Sequence, residues 1–165
     1  MREVSTMRAT TIKLMMGFAL GAAVLTAQQD DEGPGRGVAR ISLLNGDVSV
    51  KRGDTGDLVA AALNVALMTD DRVITGASSR AEVQFDHANM IRVAAASEIR
   101  FRELEWRKYM VQIAEGTVTF RVLRESDAEV ELNTPSVALR ARKRSVYRIT
   151  VRTDGRPHAV PLVGV

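Results

Sequence analysis

The 165-residue chain contains no cysteine. That excludes a disulfide scaffold, a thiolate zinc site, a cysteine nucleophile and a cysteine-linked lipid anchor. His87 and His158 are its two histidines, too few for a three-histidine metal centre. One Trp, two Tyr and four Phe amount to 4% aromatics, a poor basis for stacking sugars or single-stranded nucleic acid. No Gly-x-Ser-x-Gly elbow and no glycine-rich phosphate loop occur, so hydrolase and nucleotide-binding readings lack their usual motifs. Asp54, Asp57, Asp70 and Asp71 could offer oxygens to calcium. Their spacing matches no EF-hand, and Asp is also a common turn residue. No cofactor, metal or catalytic group is expected.

The one long apolar run, Leu14 to Leu25, follows Arg2, Arg8 and Lys13 and ends in Thr26-Ala27. A basic start, a short apolar centre and a small-residue exit define a signal peptide over residues 1–27. As a helix, such a run spans about 18 Å, against roughly 30 Å of bilayer hydrocarbon. No permanent transmembrane anchor is expected after cleavage, and the product is placed in the periplasm or outside the cell. The whole chain has 23 basic and 20 acidic residues. Removing residues 1–27 leaves 20 and 19, so net charge gives no argument for nucleic acid.

Residues 28–37 are polar and Gly-rich and read as a flexible linker. From Val38 the period is two. Ala81, Val83 and Phe85 alternate with Arg80, Glu82 and Gln84. Ile99 and Phe101 alternate with Arg100 and Arg102. Tyr109, Val111 and Ile113, then Val118, Phe120 and Val122, continue the pattern, as do Val130 and Leu132, then Ile149 and Val151. Strands at such short intervals predict an all-β domain over 38–152. Asn45-Gly46, between two β-prone runs, predicts a hairpin. Asp57 to Met68 is Ala-rich and reads as a loop with one helical turn. Outward Arg and Glu of mixed sign are expected to keep the sheet faces soluble.

Leu44-Asn45-Gly46-Asp47-Val48-Ser49-Val50-Lys51-Arg52-Gly53 resembles the opening hairpin of FecR-type domains. Asp71-Arg72-Val73-Ile74-Thr75-Gly76-Ala77-Ser78-Ser79, continuing to Phe85-Asp86, resembles their central signature. Thr134-Pro135-Ser136-Val137 resembles a later strand. The likeness spans about Val38 to Val151. Asp70 and His87 stand where the family usually has glycine, and Leu58 where it often has Trp. The resemblance is to a short or truncated member, with residues 153–165 as a weak C-terminal tail. It implies short antiparallel strands in a solenoid-like or sandwich-like exported domain, preceded by the signal-peptide helix and acting without catalysis in signalling or protein contact. A role in controlling a sigma factor is not carried over.

Trp106, the single Trp, sits in Glu105-Trp106-Arg107-Lys108-Tyr109. Trp and Arg are favoured interface anchors, so Trp106, Arg107 and Tyr109 are candidate partner-binding residues. The alternative is a structural one, with Trp106 capping the sheet against Tyr109. Arg140, Arg142 and Arg144 form the densest basic run and are further candidates. The expected function is protein–protein interaction or signal sensing in the bacterial cell envelope, with an envelope protein as partner. The alternative is an anionic envelope polymer, peptidoglycan or lipopolysaccharide, held by the Arg-rich strand face. His87 is read as an exposed turn residue.

Overall fold

The computed structural model describes residues 38–141, 144–152 and 157–162. The expected signal peptide and linker lie outside the described residues, as does Arg142. No helix occurs among the described residues, and none is therefore long and apolar enough to cross a membrane.

Among the described residues thirteen strands form one sheet. The chain runs through β1 (Ala39–Asn45), β2 (Val48–Lys51), β3 (Leu58–Ala60), β4 (Ala66–Leu67), β5 (Arg72–Thr75), β6 (Arg80–Gln84) and β7 (Asn89–Val93). It continues through β8 (Ser97–Glu105), β9 (Lys108–Val122), β10 (Glu129–Asn133), β11 (Ala138–Arg140), β12 (Val146–Val151) and β13 (Pro157–Leu162). All pairings are antiparallel except β9 with β10.

The 15-residue β9 organises the whole sheet. Its first half lies between β8 and β10, and its second half between β7 and β12. Two wings result. The first runs β3-β2-β5-β8-β9-β10-β11, the second β4-β1-β6-β7-β9-β12-β13. The sheet curls like half a barrel over one core. Phe85 at the end of β6 touches Phe101 and Tyr109 of the first wing at 5.9 and 5.0 Å between ring centres, and Phe120 of the second at 6.0 Å. The alternating apolar residues point inward as the period of two requires: Val83, Ile99, Val111, Phe120 and Ile149 are all buried. Each such side chain contributes about 1.5–3 kcal/mol relative to exposure.

Four of the chain's passages between wings fall at Asn45–Asp47, at Gly76–Ser79, at Ala94–Ala96 and at Glu115–Thr117 within β9. These crossings lie in a hydrogen-bonded row. Ser79 Oγ accepts the Asp47 N–H at 2.7 Å, and Gly76 N–H donates to the Asp47 carbonyl at 2.9 Å. Ala96 N–H reaches the Gly76 carbonyl at 3.0 Å. Thr75 Oγ1 donates to the Ala94 carbonyl at 2.6 Å and accepts the Ser97 N–H at 3.1 Å. Ser97 Oγ accepts the Thr117 N–H at 2.9 Å. Buried Thr75, Ser79 and Ser97 thus satisfy backbone groups where strand ladders break off. Gly46 has φ +79°, and a Cβ there would lie 2.5 Å from Ser79 Oγ. Gly116 has φ +86°, and a Cβ there would lie 2.5 Å from Ser97 Cα.

Three expectations change. Asn45-Gly46 makes a wing-to-wing corner rather than a hairpin: β1 pairs with β4 and β6, β2 with β3 and β5. The turn is sharp, but the buried faces of β1 and β2 belong to different wings. The Ala-rich stretch forms the short strands β3 and β4, because pairing with β2 and β1 overrides its helical propensity. Within the expected tail, residues 157–162 form β13 along β12; Pro lacks the ladder donor but is tolerated at a sheet edge. A solenoid of stacked repeats is not what the strand order describes; the all-β expectation stands.

Candidate functional site

β8 and β9 form the hairpin that carries Trp106. Glu105 pairs with Lys108, which leaves Trp106 and Arg107 as a two-residue tip. Arg107 takes φ +58°, a region non-glycine residues seldom occupy. The tip is braced from β10, where the Glu129 N–H donates to the Arg107 carbonyl at 2.7 Å. Lys108 Nζ meets Glu103 at 2.6 Å, and Arg107 faces Asp127 at 3.6 Å. Glu103 also draws the Lys108 ammonium above its ordinary pKa. Trp106 itself is 67% exposed, with the Arg107 guanidinium 5.6 Å from its ring centre.

Trp106 therefore does not cap the sheet against Tyr109. Tyr109 is the next inward residue of β9, 6% exposed and stacked on Phe85. Its hydroxyl donates to Asp86 at 3.0 Å. Asp86 also accepts the N–H groups of Ala88 and Asn89 at 2.6 and 2.7 Å and the Asn89 side chain at 2.8 Å. Burial works to raise the Asp86 pKa, but these donors outweigh it and hold the carboxyl below its ordinary value. Burial first, and the Asp86 charge second, push the Tyr109 phenol far above its ordinary range. His87 sits exposed at the tip of this turn, as expected.

Beside the tip runs a groove of about 870 Å³. Leu104, Met68 and Ala66 supply its apolar surface; Asp54, Asp57 and Glu105 supply carboxylates. Asp71 stands at its base, 2% exposed, and is fully engaged. It accepts from Arg52 and the Gly53 N–H at 2.8 Å and from the Met68 N–H at 3.0 Å, tying the β2–β3 loop to the β4–β5 turn. Asp70, at φ +70°, pairs with Arg100 at 2.8 Å. Of the four aspartates considered for calcium, Asp54, Asp57 and Asp71 line the groove, Asp71 with its oxygens taken by Arg52, Gly53 and Met68, and Asp70 is paired with Arg100. Among the described residues no group of three His, Asp or Glu side chains is placed to hold a metal ion.

The remaining candidates lie apart from the tip. Arg140 on β11 is exposed and meets Glu131 at 3.5 Å. Arg144 is exposed beyond that strand with φ +46°. The structure brings Trp106 and Arg107 together and places Arg140 two strands from β9. The groove is not legible in the sequence, because residues 52–57, 66–71 and 104–105 share no local pattern. Asp71, in the signature, is the one signal near it. Charges of mixed sign do pair on the first wing, as Arg72–Glu98 at 2.9 Å and Arg100–Asp70 show.

A family model described as "FecR protein" matches residues 71–163, more than half of the chain. No curated protein and no solved structure matches it. The match begins at Asp71, the buried carboxylate of the β4–β5 turn, and runs through β5 to β13. The chain belongs to the FecR protein family.

Proposed function

We propose that this is an exported envelope domain that senses or relays a signal by contact with a partner protein, without catalysis. Family membership supports the envelope setting and the signalling role. The observation that carries the contact reading is Trp106, exposed on a hairpin tip that β10 and two ion pairs brace from behind. An exposed Trp on a fixed backbone offers a large contact area at little ordering cost. The groove beside it adds apolar surface edged by Asp54, Asp57 and Glu105. The partner segment that suits it carries an apolar anchor flanked by Lys or Arg.

A photo-crosslinking residue at position 106 in the full chain, used in envelope preparations, tests the proposal. One partner should be captured, and Trp106→Ala should weaken its binding in purified form by at least about tenfold, the range for an interface anchor. Capture of nothing above background, or unchanged affinity in Trp106→Ala, would overturn it.

A further inference from the structure

Charge is divided unevenly between the two outer faces. On the strands of the first wing, Lys51, Arg72, Arg100 and Arg102 are interspersed with Glu98, Glu103, Glu129 and Glu131. The second wing differs. Its strands present Arg40, Arg80, Arg92, Arg121 and Arg148 outward, against one acidic side chain, Glu82. Glu82 is taken by Arg92 at 2.7 Å. Among the described residues, Arg80, Arg121 and Arg148 have no ion-pair partner, and the Arg121 Nε is buried without an acceptor. Solubility alone does not call for such segregation, which concentrates like charges on neighbouring strands.

The arrangement is also specific. Arg92 on β7, Thr119 on β9 and Arg148 on β12 stand side by side in register. Neighbouring strands lie about 4.8 Å apart, so the two arginines flank Thr119 at about 10 Å from each other. Arg80 lies one pleat along on β6, next to β7. These four residues, with Ala94 and Thr117, line a shallow depression of about 410 Å³. Leu43 and the Glu82 carboxylate, which Arg92 holds at 2.7 Å, line it as well, so three guanidinium groups stand there against one carboxylate.

We propose that the outer face of the second wing binds a flexible polymer bearing phosphate groups. Arginine forks match phosphate oxygens bidentately, and the Thr119 hydroxyl supplies a further donor between them. Donors on several sides suit a tetrahedral group better than a planar carboxylate. Among the described residues no aromatic side chain lines the depression, so bases and sugar rings gain nothing by stacking there. A bilayer fits less well: the outer face of a curled sheet is convex, and Leu43 is the one large apolar side chain at the depression. A flexible chain can follow that curvature; a flat surface cannot.

The test uses the full chain and inorganic polyphosphate as probe, with single phosphate ions and anionic-lipid vesicles as separate arms. Polyphosphate should bind at physiological salt, weaken steeply as salt rises, and outcompete both other arms. Arg80→Glu with Arg148→Glu should weaken binding at least about tenfold. Lys51→Glu with Arg102→Glu, the same charge change on the first wing, should stay within about threefold of wild type. Equal losses in the two double variants would overturn the proposal, as would preferential binding to vesicles or no binding of polyphosphate. Should the Arg80/Arg148 variant fail to fold, amide shifts of the wild type decide. Changes confined to β6, β7, β12 and the second half of β9 support the site; changes on the first wing refute it.

Discussion

The Tyr109 hydroxyl donates to the Asp86 carboxylate across 23 residues, joining the first half of β9 to the turn that follows β6. One bond thereby links the two wings beneath the aromatic cluster of Phe85, Phe101 and Phe120.

This pair sets a pH window. Asp86 is held below its ordinary value of 3.8, so its contribution to stability is complete above that value. It is lost as pH falls through the lower folded value. Tyr109 is shifted up from 10.0, so stability also falls as pH rises above 10.0, where the unfolded chain releases the phenolic proton first. Melting temperature should therefore drop at both ends. Tyr109→Phe should cost about 1 kcal/mol near neutrality and flatten the alkaline limb; Asp86→Asn should flatten the acid limb. Calorimetry across the acid and alkaline limbs measures both.

Asp71 is nearly wholly buried and accepts from one guanidinium and two backbone N–H groups. Asp71→Ala leaves the Gly53 and Met68 N–H groups without an acceptor and the Arg52 guanidinium, which keeps the Ala66 carbonyl, without its ion pair; it should destabilise the domain by about 3–5 kcal/mol. Urea unfolding gives the value, and a loss under about 1 kcal/mol would show the turn holds by other means.

The row of crossings predicts opposite effects for two small substitutions. Gly116→Ala meets both an unfavourable φ and the Ser97 backbone, and should lower stability by at least about 2 kcal/mol. Ala96 sits at φ +47°, where a Cβ is disfavoured by about 1–2 kcal/mol. Ala96→Gly should raise stability by about 1 kcal/mol. Thermal melts of the two variants against wild type test the pair.

Trp106→Ala should change stability by less than about 1 kcal/mol, since an exposed ring beside one guanidinium contributes little to folding. A larger loss, read from denaturant midpoints, would mean the ring holds up the hairpin and would weaken its reading as a contact residue.

Alternation alone makes most strands legible in the sequence, because Val83, Ile99, Val111 and Phe120 each face one shared core. Pairing is less legible. Asn45-Gly46 favours a tight reversal locally, but which strands lie alongside is decided by residues tens of positions away, such as Val83 and Val73. The same distance hides the groove, whose lining comes from three loops. Trp106 and Tyr109, three apart, look equally suited to an interface. The hairpin register instead sends Tyr109 inward and leaves Trp106 at the turn, outside the alternation. The Arg-rich character is visible in the sequence, but not its concentration on one wing, which depends on strand order rather than on composition.

β9 has a consequence for how the domain comes apart. Its four flanking strands, β7, β8, β10 and β12, belong to both wings. Neither wing can keep its ladder once β9 has left, so unfolding should be all-or-none. The same dependence delays assembly. Neither wing can close until the chain as far as Val122 is available, so an emerging N-terminal portion stays open until then.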